Sequence, residues 1–511
     1  MASPSAGTTA SSSPNYGVDI KAGLVVFLIA LPLSIGISLA SGAPTSAGLI
    51  SAALGGIIGA YLGGSYVTIN GPAAGLIVVV LGAIQSLSDG DPVLGFRRML
   101  ACVVVVGVLQ ILSGLLKAGK LAALFPLSVV HGMLTAIGVI IMIKQIHVFF
   151  GHKAQGSIVN SMLMIPDSAL HPIAESALVG LVAFVILLVY PHLKMKVAKI
   201  IPAPLIVVIV GIVMAKLIGT QALVSIPTNP SELVAFPLFD NITSPESLRS
   251  IFTIFFVASL ESILSAIAVD KLDPLGRESN FNRELWSKGV VNLACGMIGG
   301  LPIIAEIVRS SANISQGAKT PLANFSHGIF ILIFILVFPG VLNTIAQAAL
   351  AAILVLVGFR LAHPRQFKEM WHLGGNSFVA FVTTVVLTVA DDLLVGVFAG
   401  VIVKALISLF MGVSFKDLFS PSYDVHEQGS EAILKFQGSL NFFSVLKQRK
   451  IIEDLAKFRQ IKIDLTQVRY IDATSLTIIA KETAKLEKQG MLVIIVMPGA
   501  YEAKFQALKS H

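Results

Sequence analysis

Residues 301–315 read LPIIAEIVRSSANIS, and residues 68–75 read TINGPAAG. Each breaks an apolar run with Pro, Gly or polar side chains, and the two breaks fall at matching places in two halves of seven apolar segments each. Lipid offers backbone groups no water, so non-helical chain at membrane depth survives only where it is buried in protein or lines a cavity. Paired broken helices are the mark of inverted-repeat transporters, with the substrate held between them. The two stretches are therefore the first place to look for a ligand.

Working outward, apolar segments are read at 19–41, 46–63, 72–87, 95–116, 124–149, 173–190, 203–219, 250–270, 285–300, 303–314, 322–339, 343–360, 375–390 and 392–413. Most come near the ~20 residues that cross a bilayer as a helix. The expected fold is a polytopic α-helical membrane protein of 14 transmembrane segments arranged as 7+7 repeats, about 17–220 and 245–415. Composition agrees: of 511 residues 55% are apolar and only 13% charged, with a mean hydropathy of +0.86. A soluble protein carries about 25% charge, so an ordinary cytosolic enzyme is excluded. Collagen-like, disulfide-framework and disordered classes fail as well, because there is no triplet repeat, only two Cys, and abundant Leu, Ile and Val.

The net charge of +8 comes from 36 Lys and Arg against 28 Asp and Glu. No basic stripe interleaved with aromatics accompanies it, so nucleic acid is not an expected partner. The excess fits cytoplasmic loops instead. Lys117 with Lys120, then Lys194, Lys196 and Lys199, then Arg360, Arg365 and Lys368 fall on one side. Asp89, Asp91, Glu232, Asp240 and Glu246 fall on the other, with Arg97, Arg98 and Lys153 as exceptions. Both termini are thus expected to be cytoplasmic.

Residues 1–16 read as a disordered tail, since Met1–Pro14 carry no charge and lack the basic start of a secretory signal. After about Ser420 the composition becomes that of a soluble domain, 420–511. Strands are predicted over 431–440, 461–468 and 491–497, and helices over 444–458 and 474–489, with Gly490 just past the second helix. Alternating strands and helices imply a small α/β layer structure.

Ionisable residues within membrane segments are expensive and hence informative. Glu261 stands deep in its segment beside Ser259, Ser262 and Ser265, and its carboxylate can take a proton or help hold Na+. Its alternative reading is a structural acid satisfied by a neighbouring helix. Arg309, followed by Ser310, Ser311 and Asn313, lies in a short helix expected to begin after Pro302. Free N–H groups at a helix start favour an anion, and a guanidinium adds a permanent charge with forked donors. Arg309 reads either as the fixed cation of an anion site, or as a snorkelling residue or partner of Glu306.

In the first half, Thr68, Asn70 and the run Gly71–Gly75 supply the matching break, with Pro72 at an expected N1 position. Pro32 and Ser34 line the same cavity if their helix kinks there; a kink used for packing alone is the alternative. Lys144 and Lys404 read as snorkelling side chains, and His131 and His147 lack ligand partners at metal spacing. No nucleotide loop, nucleophile elbow or HExxH motif occurs.

These residues resemble the SulP anion transporters. The likeness rests on LPLSIGISLASGAP (31–44), NGPAAG (70–75), ESILSAIAVD (261–270), NRELWSKGVVNLACGMIGGLP (282–302), VRSSANISQGAKTPLA (308–323) and ADDLLVGVFAGV (390–401). The end of the chain resembles a STAS domain through IKIDLTQVRYIDATSLTIIAK (461–481). The resemblance implies 7+7 inverted repeats forming core and gate domains, and a homodimer. It places an anion at Ala73, Ala74 and Gly75 opposite Val308, Arg309 and Ser310, and assigns cation coupling to Glu261 and Ser265. Glu306 departs from the family pattern, where a small or hydroxyl residue is usual. Related STAS proteins carry a phosphorylatable Ser where Thr474 stands, after Asp472; N-capping of the next helix is the simpler role for Thr474.

The expected function is secondary active transport of a small anion, sulfate or bicarbonate first, by alternating access coupled to H+ or Na+. No other cofactor is expected. The alternatives are a membrane-embedded regulator recruiting a cytosolic partner through its STAS domain, and an uncoupled channel or exchanger for chloride or dicarboxylate. The expected location is a bacterial inner membrane.

Overall fold

The computed structural model describes residues 16–119, 125–154, 156–193, 201–220, 222–499, 501–502 and 505–506. Residues 1–15 of the predicted tail, with Lys120, Lys194, Lys196 and Lys199, lie outside the described residues, while Tyr16, placed in that tail, begins the first helix. Each of the fourteen predicted segments contains a helix. Eight described helices are long and apolar enough to cross a membrane by length and composition, and five further apolar helices are shorter.

The chain divides into two compact units. One comprises residues up to 117 with 145–154 and 166–356; the other comprises 118–144, 155–165 and 357–511. In the first unit the long helices Tyr16–Ala40, Thr45–Leu62, Pro92–Leu115, Pro245–Leu272 and Phe281–Ile298 surround two very short strands, β1 (Ile69–Gly71) and β2 (Ile304–Glu306). Their ends follow local chemistry. Asp91, Ser244 and Asn280 accept backbone N–H bonds as N-caps, and Pro92 and Pro245 occupy the first helical position.

Between helices of this unit, small residues replace large ones. A Cβ on Gly107 would meet the Leu293 nitrogen at 2.6 Å, and one on Gly289 the Ile111 nitrogen at 2.5 Å. Helices Pro92–Leu115 and Phe281–Ile298 thus pack backbone against backbone, the usual way of gaining dispersion contact where lipid removes the hydrophobic drive. Helix Phe281–Ile298 also buries an i,i+4 pair, Glu284 with Lys288, and Glu284 Oε2 accepts the Gly64 N–H at 2.8 Å.

In the second unit, helices Gly375–Ala390 and Leu393–Phe410 precede an α/β domain. Its sheet has the order β3 (Ser422–Gln428), β4 (Glu431–Leu440), β5 (Gln460–Ile471), β6 (Leu492–Val496). β3 and β4 are antiparallel; β4, β5 and β6 are parallel, joined by helices Val445–Glu453 and Ala473–Lys488. Alternating residues Ala432, Leu434 and Phe436 of β4 and Ile461, Ile463 and Leu465 of β5 fill the core. β3 was not anticipated: its face is almost wholly polar, SYDVHEQ, and most of it is exposed, as suits an edge strand.

Two readings in this unit need correction. The cap of helix Ala473–Lys488 is Asp472, whose Oδ1 accepts the Ser475 N–H at 2.7 Å; Thr474 already lies inside the helix, and its hydroxyl accepts the Leu127 N–H at 3.4 Å. Lys404 does not snorkel: it is buried and donates to Ser377 Oγ at 3.2 Å.

Candidate functional site

β1 and β2 pair antiparallel, with Ile69 opposite Glu306, Asn70 opposite Ala305 and Gly71 opposite Ile304. The two interrupted segments therefore satisfy each other's backbone groups without water. After β1 the chain passes Pro72 and the extended Ala73, makes a 3-10 turn over Ala74–Leu76, and enters helix Ile77–Ser86. Pro72 is thus two residues short of the first helical turn rather than at its N1. After β2 the nine-residue helix Ile307–Ser315 begins at once, so it starts five residues beyond Pro302 rather than next to it. The register puts the two helix starts at opposite ends of the ribbon.

Polar side chains pin the ribbon. Ser310 Oγ accepts the Ile69 N–H at 2.8 Å and donates to the Glu306 carbonyl at 2.6 Å. Asn313 donates to the Val67 carbonyl at 3.0 Å, and Asn324 Oδ1 accepts the Asn70 N–H at 3.3 Å. Thr68 is buried just before β1, and Asn70 leaves its Oδ1 without a partner. Ser310 is therefore already engaged by the fold.

Arg309 is fully buried, at 0% exposure. Its Nη2 donates to the Pro72 carbonyl at 3.2 Å and reaches Ser34 Oγ at 3.4 Å, while Nε and Nη1 have no partner. Ser34 and Pro32 are buried on helix Tyr16–Ala40. Nη1 lies over Gly71, where a Cβ would stand only 2.5 Å away. Snorkelling is therefore excluded for Arg309. No ion pair joins it to Glu306 among the described residues, although Glu306 lies within its electrostatic reach. Glu306 is the N-cap residue of the second short helix without a capping bond, and its Oε2 is unpartnered.

Glu261 is buried on helix Pro245–Leu272 with Oε1 unpartnered. Its carboxylate rests on the start of the first short helix: a Cβ on Gly75 would overlap both carboxylate oxygens. No neighbouring helix satisfies that oxygen among the described residues. Ser265 follows one turn later and is half-buried. Ala73 and Ala74 are buried beside Gly75, whereas Val308 is 44% exposed.

One polar neighbour escaped notice in the sequence. His327, on helix Leu322–Val337, is fully buried and within electrostatic reach of Arg309. A lone histidine in an apolar helix carries no spacing signal. His131 and His147 are accounted for locally: His131 bonds to Gln366 Oε1 at 2.6 Å and His147 to Ser168 Oγ at 2.7 Å.

The cluster combines a buried guanidinium with two idle donor nitrogens, two helix starts, and two carboxylates with free oxygens. Buried polar atoms are rarely left unsatisfied without a role. The idle donors suit an anion, and the free carboxylate oxygens suit a proton or small cation.

Residues 17–384 match the sulfate permease family, and residues 422–509 match the STAS domain. Among its relatives, the bicarbonate transporter BicA of Picosynechococcus sp. (strain ATCC 27264 / PCC 7002 / PR-6) is 28% identical over 406 residues, covering 77% of this chain and 70% of that protein. YvdB of Bacillus subtilis (strain 168), described as a candidate sulfate transporter, is 26% identical over 501 residues, covering 94% and 91%. The solved transmembrane domain of a cyanobacterial BicA superposes with a TM-score of 0.66 at 25% identity, covering 76% of this chain and 97% of that one.

Proposed function

Since this chain belongs to the sulfate permease family and ends in a STAS domain, we propose that it is a secondary active transporter of a small inorganic anion, with sulfate and bicarbonate as leading substrates. Its relatives are membrane transporters, not enzymes, and it shares their multi-pass membrane fold. The observation that carries the reading is Arg309, buried with two unpartnered donor nitrogens beside the start of the first short helix. An anion seated there would accept from Nε and Nη1 and from the backbone of Ala73–Gly75. Val308 and Ser310 would frame the opposite side through their backbone.

Glu261 is the coupling group in this reading, with Ser265 one turn on. Its charge would oppose an anion unless a proton or Na+ came with it, which ties anion entry to cation entry. Alternating access of a core against a gate, assembly as a homodimer, and cytoplasmic termini belong to the same proposal.

The test is uptake of labelled sulfate, bicarbonate, chloride and dicarboxylate into proteoliposomes under imposed H+ and Na+ gradients. Arg309→Ala is expected to abolish uptake at normal expression, and Arg309→Lys to weaken it, since an ammonium cannot reproduce the fork. Full uptake by Arg309→Ala would remove the anion from this site.

A further inference from the structure

Away from the anion cluster, three side chains on three helices form one chain of hydrogen bonds. Asn292 of helix Phe281–Ile298 is fully buried, and its carboxamide reads the backbone of Ile303 at two points: Oδ1 accepts the Ile303 N–H at 2.6 Å, and Nδ2 donates to the Ile303 carbonyl at 3.3 Å. The same Nδ2 donates to Gln110 Oε1 at 2.8 Å, and Gln110, also fully buried on helix Pro92–Leu115, donates through Nε2 to Ser259 Oγ at 3.1 Å. Ile303 immediately precedes β2 and the helix carrying Arg309; Ser259 stands two residues before Glu261. Ser51 Oγ holds the adjoining Leu301 carbonyl at 2.8 Å, so the lead-in to β2 is fixed on both sides.

We propose that Asn292 and Gln110 are positioning residues for anion binding. They set the entry of the chain into β2, and hence the placing of Arg309, and tie it to the helix that presses Glu261 onto Gly75. A buried amide relay suits this role because each amide both donates and accepts, so a shift at one end leaves an unpaired polar atom at the other. The glycine-mediated contact of helices Pro92–Leu115 and Phe281–Ile298 holds the two amides at fixed separation. The proposal rests on the anion-site reading above.

The experiment compares the full wild-type chain with Asn292→Leu and with Gln110→Met in proteoliposomes, measuring KM and Vmax for sulfate and bicarbonate beside thermal stability in detergent. Gln110→Met keeps length and apolar volume and leaves the Asn292–Ile303 bonds intact, so it covers the case in which Asn292→Leu fails to fold. The expected result for Gln110→Met is an anion KM raised about tenfold with Vmax near wild type, alongside the modest fall in melting temperature that loss of the two Gln110 hydrogen bonds brings. A purely structural role would lower Vmax in step with stability and leave KM unchanged, and that result overturns the proposal. If wild type binds and carries none of sulfate, bicarbonate, chloride or dicarboxylate, the anion-site reading falls and the positioning role falls with it.

Discussion

Gly71 and Gly75 leave room for the two charges of the site: a side chain at the first would strike Arg309, and one at the second Glu261. Neither glycine has a positive φ, so space rather than backbone conformation demands them. Gly75→Ala is expected to displace the Glu261 carboxylate, the far end of a flexible side chain, and so to impair uptake with little loss of stability. Gly82, on the same helix, has open space for 4 Å around the point where a Cβ would stand. Gly82→Ala should leave uptake intact and stabilise the helix by roughly 0.5–1 kcal/mol. Uptake and melting temperature of the two variants check both statements. Arg309, Glu261 and the glycines were legible in the sequence because charge and Gly stand out against lipid-compatible residues. Asn292, Gln110 and His327 were not, because their roles depend on which helices touch, and no periodicity reports that.

At the level of the element, helix positions follow from apolar length, so every predicted segment finds a helix. The three-residue strands β1 and β2 did not, since strand signals need four to eight residues and here the pairing partner lies in the other half of the chain. The same blindness to partners misplaced the cap of helix Ala473–Lys488. Thr474 has the right chemistry, but Asp472 sits where both its oxygens are used: Oδ1 on the Ser475 N–H, and Oδ2 on the Phe442 N–H at 2.8 Å. Asp472→Ala would strand two buried donors, and a loss of about 2 kcal/mol or more is expected. Proteolysis of the full chain, following cleavage within residues 420–511 at increasing urea, measures it. Thr474→Ala, which removes no cap, should shift that transition far less.

For the whole molecule, the polar contacts of the proposed anion cluster among the described residues come from the first compact unit, and the STAS domain belongs to the second. A chain ending at residue 415 is therefore expected to bind anion within about twofold of the full chain, a difference of less than 0.5 kcal/mol, as measured by anion-dependent thermal shift. A larger loss of affinity would mean that the STAS domain shapes the site. The ribbon of β1 and β2 carries a consequence of its own. Three register pairs rivet the onset of one short helix to the onset of the other, so neither tip can travel alone without stripping amide partners in an oily setting where none are to be had. A substitution that breaks this pairing is therefore expected to disturb both short helices together rather than one of them.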